Sequence, residues 1–149
     1  MWFMKHIANP LVRFLLRSPF HAWLSGSVLL ITVLGRKTGR PYTLPVNYAQ
    51  SDNLLWILPG MIEQKTWWRN LKNGAEVEIV LRGKQQKAFA EVVTGEKDLQ
   101  TAVEALKTYF HQFPQSAKMH QVQMGADGTY PLEDLRKVAA EATLVRVKI

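Results

Sequence analysis

Cysteine is missing from this chain altogether, and acidic residues are missing from its first third. Without a thiol there is no disulfide, no cysteine nucleophile and no cysteine-ligated metal, which fits a reducing cytosol. Before Asp52 stand Lys5, Arg13, Arg17, Arg36, Lys37 and Arg40 with no Asp or Glu among them, against a formal net charge of +7 for all 149 residues. Such a field attracts nucleic acid, an anionic membrane or an anionic cofactor. Histidine is sparse, and His6, His21, His111 and His120 show no metal-ligand spacing, so no metal site is expected. There is no G-x-S-x-G nucleophile elbow, and Ser25-Gly26-Ser27 precedes a strand-like run rather than a helix. Long hydrophobic runs are absent too. Val28 to Leu34 is far too short for about 30 Å of hydrocarbon and ends in charges, and no small-residue cleavage site follows an apolar leader. The expectation is one soluble or peripheral domain over residues 1–149, large enough to bury a core without staples.

What the chain does have is a basic turn between two strand-like runs. Val28-Leu-Leu-Ile-Thr-Val-Leu34 is apolar and β-branched, and Tyr42-Thr-Leu-Pro-Val-Asn-Tyr-Ala49 reads as a half-buried strand in which Pro45 demands an edge or a bulge. Between them lies Gly35-Arg36-Lys37-Thr38-Gly39-Arg40-Pro41. Glycines suit the positive φ of a tight connection, and Arg can grip a phosphate or carboxylate bidentately. The segment reads as an anion-binding hairpin, with a solvated basic turn as the plainer alternative; it is neither a P-loop nor a dinucleotide fingerprint.

Further along, a turn at Gln50–Asn53 precedes a strand Leu54–Leu58, which Pro59-Gly60 breaks. Lys65-Thr66-Trp67-Trp68-Arg69-Asn70-Leu71 suggests a short helix within a connector. Ala75–Arg82 and Lys84–Val93 alternate as strands, with Glu76 and Glu78 expected to face solvent. Asp98 caps a helix through about Phe113, residues Pro114 to Tyr130 read as loop, Pro131–Ala140 as a helix and Thr143–Ile149 as a last strand. Residues 2–24 read as amphipathic helix in one or two pieces, with Asn9-Pro10 as a start signal. The stripe of Leu11, Leu15 and Phe20 suits core packing. Trp2, Phe3, Phe14 and Trp23 with only basic charges suit an interfacial helix on anionic lipid. Six strands with helices at both ends imply a mainly β, α+β fold: a small barrel.

Trp67-Trp68, beside Lys65 and Arg69, reads as one indole packed inward and another, Trp68, lining a cleft with Asn70. An aromatic wall, a basic hairpin and a barrel would suit a flat, anionic heteroaromatic ligand such as a flavin.

Gly35 to Arg40 followed by Pro45, then Trp67-Trp68-Arg69-Asn70-Leu71 after a Pro/Gly turn, resembles the deazaflavin-dependent nitroreductase and quinone reductase family. The resemblance runs from about Asn9 to Val93 and implies a six-stranded split barrel of the FMN-binding type. It also implies coenzyme F(420) as hydride carrier, with FMN or another flavin as the alternative. It assigns Arg36, Lys37 and Thr38 of the hairpin, with Gly39 and Arg40, to the phosphate and acidic tail. Thr43, Pro45, Val46 and Asn47 would face the ring system, and Ile57, Leu58, Pro59 and Gly60 with Lys65, Thr66, Trp67, Trp68 and Asn70 would complete the other wall. Hydride chemistry then belongs to the cofactor, while the protein supplies position and electrostatics. The expected partner is a small acceptor such as a quinone, with a second copy of the chain and a membrane surface as further partners and no nucleic acid. The rival reading is a split barrel that carries its cofactor without turnover. The expected location is the cytoplasm, peripheral to the inner face of the membrane.

Overall fold

The computed structural model describes residues 27–35, 37–59 and 67–149. Seven strands form one antiparallel sheet: β1 (Val28–Leu34), β2 (Pro41–Asn47), β3 (Ala49–Ser51), β4 (Leu54–Ile57), β5 (Ala75–Leu81), β6 (Lys84–Thr94) and β7 (Thr143–Lys148). Their order across the sheet is β2-β1-β5-β6-β7-β4-β3. The two outermost strands, β2 and β3, are therefore consecutive in the chain and separated only by Tyr48. One residue cannot span a flat sheet, so the sheet curls until its edges meet at that corner. Tyr48 is 2 % exposed there, and its N–H donates to the Ser27 carbonyl at 2.9 Å.

That corner accounts for the seventh strand. Tyr42 to Ala49 reads as one strand in the sequence, but the chain turns at Tyr48, leaves β1 and pairs Ala49–Ser51 with Leu54–Trp56 instead. Local residue preference specifies extended backbone on both sides of Tyr48 and says nothing about which neighbour each half will join. Pro45 sits in β2, which pairs only with β1 and stands at an edge of the sheet.

The curled sheet encloses one core of alternating strand residues, Leu29, Ile31 and Val33, Leu55 and Ile57, Val77, Ile79 and Leu81, and Val145 and Val147. Trp67, Trp68 and Leu71 of a 3-10 helix (Trp67–Leu71) plug it. A second core lies on the other face, where α1 (Leu99–Gln112), α2 (Pro114–Met119) and α3 (Leu132–Ala140) bury Trp56, Ala49, Val93 and Leu144. Asp98 caps α1 by accepting from the Thr101 N–H at 3.2 Å and hydroxyl at 2.7 Å, and these bonds hold its carboxyl below the ordinary range. α2 corrects the reading of residues 114–130 as loop throughout. Pro at its first position starts it, and buried Ala117 fixes it, which six residues show too faintly as a pattern. Where β6 ends against α3, a Cβ on Gly95 would lie 1.5 Å from the Ala139 carbonyl oxygen, so only glycine permits that approach. The helices expected within residues 2–24 lie outside the described residues.

Glu78 overturns its expected exposure. It is 1 % exposed, on the sheet face it shares with Leu30, Thr32 and Val80, all of them buried. Alternation along a strand marks solvent only when one face is wet, and here the stretch of that face around Leu30, Thr32, Glu78 and Val80 is buried too, while Glu76 at its margin is exposed as expected. Glu78 stands in register with Thr32 on one side and Lys87 on the other, yet among the described residues its Oε1 has no hydrogen-bond partner. Burial pushes its carboxyl up; Lys87 pulls the other way, and Glu76 adds to the rise. A carboxyl raised in the folded state makes stability fall as pH climbs from the ordinary carboxylate range through the folded pKa. Glu78→Gln will therefore melt higher than the parent near neutral pH, by roughly 1–3 kcal/mol for relief of an unsatisfied buried charge. The gap should close as pH falls toward 4.5. Thermal melts across pH 4–8 check it, and a gap that widens in acid would refute it.

Candidate functional site

β2 carries a basic turn at one end and a pocket at the other. In the turn, the Gly35 N–H donates to the Arg40 carbonyl at 2.8 Å, the Gly39 N–H to the Gly35 carbonyl at 2.7 Å, and the Arg40 N–H to Thr38 Oγ1 at 3.3 Å. Gly39 holds φ at +68°, the left-handed region that glycine enters without strain. With these amides turned inward, the outward face presents the side chains of Lys37, Thr38 and Arg40, which are exposed, as is Gly39 between them. Among the described residues, neither Lys37 nor Arg40 has a carboxylate within ion-pair distance. Unpaired cations on an exposed turn attract an anion without first breaking an internal salt bridge. Arg36 lies outside the described residues.

Some 13 Å along the strand, at about 3.3 Å per residue, Leu44, Pro45, Val46 and Asn47 form one wall of a cavity of about 150 Å³. Ile57, Leu58 and Pro59, where β4 ends, form the opposite wall, with Trp67 and Tyr109 completing it. The cavity lies where the two cores adjoin, since Ile57 and Trp67 belong to the barrel interior and Tyr109 to the helical layer. Its lining residues are apolar or aromatic apart from Asn47, yet the surface they present to the cavity is mostly polar. Asn47 and Tyr109 are lining residues whose side chains carry hydrogen-bonding groups. Burial pushes Tyr109 up to about 12, so its phenol keeps its proton at neutral pH.

The remaining residues singled out from the sequence are placed otherwise. Thr43 turns away from the barrel interior and its Oγ1 pairs with Thr32 Oγ1 at 2.7 Å. Trp68 is 7 % exposed within the barrel core, flanked by Arg69 and Lys72 at 5.6 and 5.7 Å from its ring centroid, while Trp67 lines the cavity. Asn70 donates from Nδ2 to the Trp67 carbonyl at 2.9 Å and so holds the turn that sets the Trp67 indole. Gly60, Lys65 and Thr66 lie outside the described residues. Leu44 and Tyr109 were not singled out as site residues. Tyr109 falls on the apolar stripe of α1, where helical spacing gives no sign that one member of the stripe ends at a cavity.

The sequence matches the F(420)H(2)-dependent quinone reductase family over residues 16–127, well over half of the chain. The chain belongs to that family. It is accordingly an oxidoreductase that transfers hydride from reduced F(420) to an organic acceptor. No significant match exists among curated proteins. Among solved structures, the F(420)H(2)-dependent reductase FDR-A superposes with a TM-score of 0.54 at 16 % identity, over 82 % of this chain and 94 % of its own. A second, a domain-swapped dimer, gives 0.54 at 17 % identity, over 82 % of this chain and 80 % of that one. Both establish likeness of fold.

The residues present fit the family's coenzyme. A phosphodiester with a carboxylate tail suits Lys37 and Arg40, unpaired among the described residues, and a flat ring system with polar edges suits a cavity of apolar and aromatic residues and Asn47 that offers mostly polar surface.

Proposed function

We propose that this chain, a barrel of the split type, holds F(420) along β2 and reduces a quinone beside it. Lys37 and Arg40, with Arg36 and Thr38, would take the phosphate and acidic tail, and Gly39 would let the turn close. Pro45, Val46 and Asn47 would meet the ring system from one side. Ile57, Leu58, Pro59 and Gly60 would meet it from the other, with Trp67 and the neighbouring Lys65 and Thr66. Thr43, Trp68 and Asn70 would act by supporting this wall. When bound and reduced, the coenzyme supplies the hydride. The protein's own part is to neutralise the tail, fix the ring plane and keep water from the reacting face.

The observation that carries this reading is the continuity of β2, which runs from a turn bearing two cations, unpaired among the described residues, to a cavity lined by its other end. The domain-swapped dimer among the structural relatives supports a second copy of this chain as its assembly partner. The decisive experiment titrates the purified protein with F(420), FMN and FAD, then follows oxidation of reduced F(420) with a benzoquinone. Tighter binding of F(420) than of either flavin, with quinone-dependent oxidation, is the expected result. Preference for FMN would overturn the reading.

A further inference from the structure

On the outside of the sheet, between the stretch that buries Glu78 and the helical layer that buries Trp56, β5, β6 and β7 present an exposed face. At its centre stands Phe89, 43 % exposed, although Ala88 and Ala90 on either side of it turn inward and are buried. Its ring lies across Gly74, where a Cβ would come within 2.5 Å of the Phe89 Cζ, so the ring is held against the strands rather than free in solvent. Register sets Glu76 of β5 on one side of Phe89 and Lys148 of β7 on the other. Alternation along β6 puts Lys87 before it and Glu91 after it on the same face. Two ion pairs tie these four charges together: Lys87 Nζ lies 3.4 Å from Glu76 Oε1, and Lys148 Nζ 3.8 Å from Glu91 Oε2. Arg146 also pairs with Glu91 and steadies it.

The arrangement of signs selects the partner. A diagonal drawn through Phe89, between Glu76 and Lys87 at one corner and between Glu91 and Lys148 at the other, leaves both carboxylates on one side and both ammonium groups on the other. A nucleic acid or an anionic lipid surface would be repelled by the carboxylate half. A second copy of the same face, turned about a two-fold axis along that diagonal, lays each carboxylate half over the other copy's ammonium half. We infer that a second copy of this chain docks on this face, with Glu76 of each protomer over Lys87 of the other, Glu91 over Lys148, and the two Phe89 rings flanking the axis. Every charge then gains a second neighbour of opposite sign without giving up its internal one, and the exposed rings leave water, as aromatic side chains at the centre of an interface do. The strands of the two copies cross at nearly a right angle, one of the two common ways for sheets to pack face to face. This rests on the second copy proposed above as assembly partner and is independent of the coenzyme, because β1 separates this face from β2.

Two charge reversals in the full-length protein test the pairing by sedimentation velocity over a range of concentrations. Glu76→Lys places lysine over Lys87 of the facing copy, and Lys87→Glu places glutamate over Glu76, each twice per dimer because of the two-fold axis. The parent should sediment as a dimer, and each variant by itself should associate at least about tenfold more weakly. An equimolar mixture of the two variants should restore the dimer, since one chain then carries two cations and the other two carboxylates at the matching corner. Phe89→Ser, which keeps all four charges, should also shift the protein to monomer. Affinity for F(420) should be the same in all of these proteins. A monomeric parent would overturn the inference, as would a mixture that stays monomeric. A dimer that survives both reversals and Phe89→Ser would remove this face as the interface and leave the second copy standing, which separates failure of this inference from failure of the reading it rests on.

Discussion

Trp68→Ala will cost about 3–5 kcal/mol of folding stability, the largest effect expected of any single truncation near the site. The indole is 7 % exposed and packs in the barrel core with Leu71, Val77 and Ala90. Removing it opens a void that the surrounding strands, pinned by their ladders, cannot collapse to fill. Arg69 and Lys72 lie against the ring at 5.6 and 5.7 Å, so truncation also strips two cations of their aromatic partner. Chemical denaturation measures the loss. F(420) affinity in the folded fraction of the variant should fall through displacement of the adjacent Trp67, which lines the cavity. A variant as stable as the parent that no longer binds F(420) would make Trp68 a wall residue instead.

The second large effect belongs to the hairpin. Lys37→Ala with Arg40→Ala should lower F(420) affinity by about 100-fold, taking each exposed charge-assisted contact at about 1.5 kcal/mol, the low end of its range. The melting temperature should hardly move, because both side chains are exposed and make no ion pair among the described residues. Exposed contacts are screened, so parent affinity should decline with added salt while the double variant shows a flatter response. Equilibrium titration at two ionic strengths reads both. Undiminished affinity at low salt would move the anion site away from β2.

Much of this molecule is written locally. Absence of thiols and clustering of cations before Asp52 constrain the chemistry regardless of fold. Val28–Leu34, Ala75–Leu81 and Lys84–Thr94 are strands because β-branched and alternating residues suit a pleated, half-buried surface, and Asp98 starts α1 because its carboxylate satisfies orphan amides. The basic hairpin and the paired indoles are contiguous in the chain, which is why family membership could be anticipated from them. Three things were decided only in three dimensions. Tyr48 splits one extended run between opposite edges of the sheet, a choice made by long-range pairing rather than by residue preference. Glu78 is buried because the second face of β1 and β5 is covered around it, a fact that period-two alternation cannot carry. Tyr109 meets Pro45, Ile57 and Trp67 across more than forty residues of sequence because the helical layer packs where the curled sheet ends. Local sequence encodes which elements form, through short-range sterics and capping; which side chains share a cavity depends on the closure of the sheet, a property of all seven strands together.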